Sequence, residues 1–267
     1  MLKDVTLGQY FPGNTVIHRL DPRTKLVWTV LYIVALFLAK GAAGYGMMLA
    51  VLLAVIAASR IRLSVILKSL KPLLLVIILT AVLNLFYTSG ETLVSFWIFR
   101  ITREGVRSAI FMVLRISMLV AGTFMLTYTT SPIALTDALE SLFGPLKKLR
   151  VPVHELAMMM CIALRFIPTL IEETDKIIAA QKARGADFES GNLIARAKAM
   201  VPILVPLFIS AFRRADELAT AMECRCYHGG EGRTRLHQLR YARRDAAAFL
   251  LGAVVLAAAI VLRNYGL

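Results

Sequence analysis

Three residues with metal-ligand chemistry, Cys224, Cys226 and His228, fall within five positions of one another in the stretch AMECRCYHGG, residues 221–230. Zinc takes about four such ligands in a tetrahedral shell, and His237 is the fourth group near enough in sequence to complete the set. The spacing argues against that reading. In a helix of 3.6 residues per turn, positions two apart point about 200° away from each other. The two thiols therefore share an ion only if the helix has ended before them. The other chemistry in the stretch belongs to Arg225, whose planar guanidinium makes forked, charge-assisted hydrogen bonds in a partner's groove.

An internal echo favours the arginine. DKIIAAQKARGAD (175–187) and DELATAMECRCYH (216–228) superpose at an offset of 41 residues, matching Asp175 with Asp216, Ala180 with Ala221 and Arg184 with Arg225. In that frame Ala183-Arg184-Gly185 corresponds to Cys224-Arg225-Cys226. Each arginine also closes an apolar stripe of helical period. The first stripe runs from Leu156, Met159 and Met160 through Ile167, Leu170, Ile171 and Ile178 to Gln181; the second runs from Leu204, Leu207 and Phe208 through Ala211 and Leu218 to Met222. The spacing predicts two long amphipathic helices, ending near 185 and 226, packed at least in part against each other. A guanidinium at the end of an apolar face suits a docking tip, and two such tips suit two equivalent partners. A solvated arginine that favours the helix C-terminus is the alternative.

The elements that carry these tips belong to an apolar chain. Of its 267 residues 58% are hydrophobic, and the mean hydropathy is +0.69, which points to several membrane spans. The net charge of +14 has a membrane explanation, since Lys and Arg collect in cytoplasmic loops and near anionic headgroups; nucleic acid is not an expected partner. Five spans are expected, at residues 26–39, 45–58, 72–88, 108–128 and 246–262. Asp21 caps the first, with Pro22 at its first helical position. Residues 59–71 hold Arg60, Arg62, Lys68 and Lys71 without an acid, so that side and the N-terminus are read as cytoplasmic. The three arginines in the loop 89–107 run against the rule.

Two further apolar runs, 156–171 and 200–212, are short and contain Arg165 in the first and Pro202 and Pro206 in the second. Both continue into charged helical sequence, so they are read as parts of a cytoplasmic region rather than as spans. The organisation expected is thus an all-α polytopic membrane protein. Residues 1–130 form an N-terminal membrane domain with four spans, 131–244 a cytoplasmic coupling domain, and 245–267 a final transmembrane helix. Arg115 inside the fourth span costs a few kcal/mol in lipid and is expected to snorkel or to pair with a group such as Asn84. The methionines 158–160 suit an adaptable packing surface, either a sliding contact with a membrane partner or, more simply, a core. The three cysteines give no disulfide framework. The N-terminus lacks the pattern of a cleaved signal peptide.

GQYFPGNTVIHRLDPRTKL (8–26), QKARGAD (181–187) and AMECRCYHGGEGRTR (221–235) together resemble the transmembrane coupling subunit, or T component (EcfT), of energy-coupling factor transporters, a branch of the ABC importers. The resemblance extends over nearly the whole chain. It implies that two coupling helices end in Ala-Arg-Gly motifs whose arginines enter grooves on a pair of ATP-binding cassette ATPases, one motif to each subunit. That assigns docking to Ala183, Arg184 and Gly185, and to Cys224, Arg225 and Cys226, where the cysteines depart from Ala and Gly. It further implies a substrate-binding membrane (S) subunit as partner, uptake of a vitamin or a transition-metal ion, and ATP and Mg²⁺ bound by the ATPases, with no cofactor in this chain. The sequence has no G-x-x-x-x-G-K-[ST] loop of its own and no H-E-x-x-H, so a non-catalytic subunit is expected. The alternatives are a stand-alone secondary transporter, against which stands the scarcity of ionisable residues in the spans, and a metal-binding membrane protein.

Overall fold

A computed structural model of the chain describes residues 10–88, 92–96, 99–186, 188, 192–229 and 238–265. Among these residues the chain forms α1 (Pro22–Leu38), α2 (Gly41–Ser59), α3 (Leu63–Leu70), α4 (Leu74–Tyr87), α5 (Arg103–Thr129), α6 (Pro132–Phe143), α7 (Val153–Ala183), α8 (Leu193–Cys224) and α9 (Arg243–Asn264). The one addition to the helical architecture is a short antiparallel pair, β1 (Thr92–Phe96) and β2 (Phe99–Thr102), in the segment expected as a plain loop.

Among the described residues five helical stretches are long and apolar enough to cross a membrane: Gly41–Ser59, Leu63–Tyr87, Arg103–Thr129, Val153–Ala183 and Arg243–Asn264. The number agrees with the sequence reading and the membership differs. Ala39 turns to an extended conformation, so α1 stops after 17 residues, about 26 Å against the ~30 Å of hydrocarbon. As expected, the run 156–171 continues into the charged sequence after it, as the first half of one helix of 31 residues that passes through Pro168. Proline there removes one backbone bond without ending the helix. By length and composition α7 therefore joins the helices able to span.

The chain divides into two units, Gly8–Ala138 with Gln238–Leu267, and Leu139–His237. In the first, α1, α2, α5 and α9 surround a core built on Tyr32, Leu36, Tyr45, Met48, Met125 and Tyr128. Close approach is set by small residues. A Cβ on Gly122 of α5 would stand 2.5 Å from the Tyr32 ring of α1, so only glycine lets these helices meet. No residue of α4 is buried, and its Leu74, Leu75, Ile78 and Leu79 face outward. Such a surface is costly in water and favourable in lipid.

The polar N-terminal segment is held by buried capping. Asp21 accepts from the Arg23 N–H at 2.9 Å, which caps α1, and donates its own N–H to Asp245 Oδ1 at 2.9 Å. The other Asp245 oxygen accepts from the Ala242 N–H at 2.8 Å and so starts α9. One carboxylate, 2% exposed, thus joins the first and last helices at their N-termini. Lys25 Nζ donates to the His18 and Thr129 carbonyls at 3.1 and 2.8 Å. His18 bridges Thr15 Oγ1 at 2.6 Å and the Phe11 carbonyl at 3.0 Å. Burial pushes the His18 pKa below its ordinary value, the bond to Phe11 works against that, and the nearby Lys25 charge adds to the lowering.

Candidate docking surface

In the second unit α7 and α8 pack against each other as an antiparallel pair, with three rungs between them among the described residues. The Tyr227 hydroxyl, just past α8, donates to Met158 Sδ at 3.0 Å near the start of α7. Glu173 pairs with Arg214 Nη2 at 2.7 Å and accepts from the Ser210 hydroxyl. Near the other end Gln181 Nε2 reaches the Pro202 carbonyl at 3.5 Å. That carbonyl lacks its usual helical donor because the residue four positions on is Pro206, and the glutamine amide stands in its place.

Antiparallel packing sends the two arginines to opposite ends of the pair. Extrapolating the rungs, Arg184 lies beside residues near 200 of α8, about 25 residues from Arg225, or roughly 37 Å at 1.5 Å per residue. It also runs the apolar half of each helix along the charged half of the other. The stripes are accordingly only partly covered. Ile167, Leu170, Ile171, Ile178, Leu207, Leu218 and Met222 are half-buried, whereas Leu156, Met159, Leu204 and Phe208 are exposed, Phe208 by 62%. The methionine cluster is therefore no core. Met159 and Met160 are exposed, and Met158 is half-buried against Tyr227.

The two tips share one backbone design. After Ala183, the last residue of α7, Arg184 is the C-cap, the Gly185 N–H donates to the Lys182 carbonyl at 3.0 Å and the Ala186 N–H to the Gln181 carbonyl at 3.0 Å. After Cys224, the last residue of α8, Arg225 is the C-cap, the Cys226 N–H donates to Glu223 at 2.9 Å and the Tyr227 N–H to Met222 at 3.0 Å. Both are Schellman caps, which need a left-handed residue just past the C-cap. Gly185 supplies it with φ +84° and Cys226 with φ +54°. The turn left open by a cysteine in the glycine position is thus made all the same, at the ~1–2 kcal/mol that a Cβ costs in this region. The cap bonds are backbone to backbone, so neither arginine side chain is used in them. Ala183, Arg184, Gly185, Cys224, Arg225 and Cys226 are all exposed.

Among the described residues no three His, Cys, Asp or Glu side chains are grouped to hold a metal ion. Cys224 and Cys226 are exposed thiols on either side of Arg225, and His228 Nδ1 bonds the Cys226 carbonyl at 2.8 Å; His237 lies outside the described residues. Arg115 pairs with a group other than the one expected. Its Nε donates to the Tyr45 hydroxyl at 2.7 Å, while the Asn84 amide is taken by the Thr80 carbonyl one turn back. Sequence reasoning missed Lys25, His18 and Asp245 altogether. The only signal for them was charge or imidazole beside an apolar run, within or next to a segment that the resemblance had marked.

The model of a family described as cobalt transport protein (CbiQ) matches residues 13–236. The energy-coupling factor transporter transmembrane protein EcfT of Thermosediminibacter oceani is 54% identical over 262 residues, 98% of this chain and 99% of its own. The protein of the same name from Acidaminococcus fermentans is 53% identical over 262 residues, covering 98% and 97%. That from Bacillus subtilis is 46% identical over 259 residues, covering 97% of each chain.

Proposed function

The chain belongs to the family of energy-coupling factor transporter transmembrane proteins (EcfT), and on that premise we propose that Arg184 and Arg225 dock two ATP-binding cassette ATPases, one tip to each subunit. As a multi-pass membrane component of a transporter, the chain is the part through which motion passes. The observation that carries the reading is the pair of matching caps. Two arginines stand at the same position of the same backbone turn, exposed and unused in the cap, at opposite ends of one helical pair. A guanidinium there meets an acidic groove with forked hydrogen bonds, and a spacing of roughly 37 Å suits two separate subunits better than one.

Closure of the ATPases on nucleotide would draw their docking grooves together. The Glu173–Arg214–Ser210 cluster ties α7 to α8 between the tips, so force applied at either end turns the pair rather than stretching one helix. The apolar, partly uncovered faces of α7 and α8 would pass that turn to a substrate-binding membrane subunit. The cargo, a vitamin or a transition-metal ion, is recognised by that subunit; the cobalt in the matching family's description speaks for the second class. ATP and Mg²⁺ bind to the ATPases, this chain takes no catalytic part, and both tips lie on the cytoplasmic side with the N-terminus, which requires that α7, though long enough to span, does not cross the membrane.

Co-purification tests the docking directly. Arg184→Glu and Arg225→Glu together are expected to abolish recovery of the ATPases and lower ATP-dependent uptake by at least about 100-fold, the loss of two charged contacts at ~1.5–3 kcal/mol each. Each single change is expected to weaken assembly without abolishing it. A double variant that still assembles and transports would refute the assignment, and uptake by the purified chain without any ATPase would favour a secondary carrier.

A further inference from the structure

Within the membrane unit, a cavity of about 380 Å³ is lined by Lys40, Arg107 and Arg115 together with Tyr45, Asn84 and Phe111. Among the described residues no carboxylate lines it, and Glu104, one turn before Arg107, is exposed and outside it. The arginines rest on aromatic rings instead. The Arg115 guanidinium lies 5.6 Å from the centre of the Tyr45 ring and 5.8 Å from that of Phe37. Arg107 lies 5.5 Å from the centre of the Phe111 ring, which stacks on Tyr45 with centroids 4.9 Å apart. Ring faces and one hydroxyl hold the guanidiniums in position but leave their charge in place. Beyond the bond from its Nε to Tyr45, Arg115 makes no hydrogen bond or ion pair with the described residues.

The location makes this charge unusual. Arg115 is eight residues, about 12 Å, further along α5 than Arg107, so the cations reach about three turns past Arg103 into a helix apolar enough to span. A cation in such a place ordinarily finds a counter-charge. The cavity is also at the end of the bundle where α2 begins, away from the basic turn at Arg60 and Arg62 where α2 ends. The rule that gathers Lys and Arg on one side of a membrane therefore accounts for one end and gives no reason for three cations at the other.

We propose that this cavity is an anion-binding site that takes a phosphate group, supplied by the headgroup of a membrane phospholipid whose glycerol and upper acyl portions lie against Phe37 and Phe111. Arg115 binds from the inner end of the cavity, Arg107 from the wall and Lys40 from the exposed rim. The site is independent of the docking tips and of the partner ATPases.

Native mass spectrometry of the delipidated full-length chain, titrated with phosphatidylglycerol, phosphatidylcholine and, separately, inorganic phosphate, tests this. One phosphatidylglycerol is expected to bind more tightly than the rest, and to bind at least tenfold more weakly in Lys40→Gln/Arg107→Gln, two exposed side chains. Arg263→Gln is the control. It lies at the same end of the bundle, because α1 and α9 start together at Asp21 and Asp245, but not in the cavity. It is expected to change nothing. Arg115→Gln is expected to remove the tight molecule; should that variant not fold, the double variant decides alone. Binding of inorganic phosphate that depends on Lys40 and Arg107, with no tight phosphatidylglycerol, keeps the anion site and assigns it to soluble phosphate. Equal lipid and phosphate binding in wild type and double variant, or an equal loss in Arg263→Gln, overturns the proposal.

Discussion

The chain ends its helices in two different ways. At the C-termini of α7 and α8 the exposed carbonyls are met by the backbone N–H groups of the next turn, and the side chains at the cap stay outside. At the N-termini of α1 and α9 the work is done by carboxylates, Asp21 and Asp245, both buried. Where the backbone satisfies itself, a charged side chain is left over for a partner. Where side chains do the capping, they are consumed by the fold. The contrast separates residues that should matter for assembly from residues that should matter for stability, although both kinds are charged and both sit at helix ends.

The largest effect on stability is therefore expected at the buried cap. Asp245→Ala leaves the Asp21 and Ala242 N–H groups without their acceptor, at ~1–3 kcal/mol for the buried Asp21 group and less for the Ala242 group, which water can reach. Thermal unfolding in detergent should show the loss, while any folded fraction should still bind ATPases. A stable Asp245→Ala protein would remove one side of the contrast.

Exchanging the residues that complete the two tips should have a smaller effect, opposite in sign at the two places. Gly185→Cys puts a side chain at φ +84°, where the surrounding space is open, so the cost is conformational alone, ~1–2 kcal/mol. Cys226→Gly relieves a similar strain. Hydrogen exchange of the cap amides at Ala186 and Tyr227 measures the local stability. Protection should fall in the first variant and rise in the second, with ATPase binding retained in both. Loss of docking in Cys226→Gly would mean that the thiol, and not the turn, is what the partner reads.

The smallest expected effect is a dependence on pH at His18. Its folded-state pKa is below the ordinary value of about 6.5, so the folded form favours the neutral ring. Stability from this group is present above about pH 6.5 and is lost as the pH falls through that value toward the folded pKa. Melting curves between pH 5 and 8 should show this slope in the wild-type chain and a shallower one in His18→Gln. The same slope in both would assign it elsewhere.

Much of this was legible before the fold was known, for a definite reason. Helical period, the offset of 41 residues and the small residues beside each arginine are local features, and local features decide where a helix ends. The cap of α1 by Asp21 was legible on the same grounds. What escaped was non-local. Asp245 meets Asp21 across 224 positions, and Arg115 meets Tyr45 across 70. Nothing in the immediate sequence of either points to its partner. For the methionines both a partner contact and a core were open, and the core was favoured, because an apolar stripe looks the same whether it faces its own chain, a partner or lipid. Continuity through Pro168 was legible as well, because proline weighs against a helix interior but does not forbid one, and the apolar period runs on past it.

The central claim, one tip to each ATPase, is most directly tested by photo-crosslinking from positions 183 and 224 in the assembled transporter. Each position alone should capture one ATPase, and a chain carrying the crosslinker at both should yield a product of one copy of this chain with two ATPases. A doubly labelled chain that never captures more than one ATPase would contradict it.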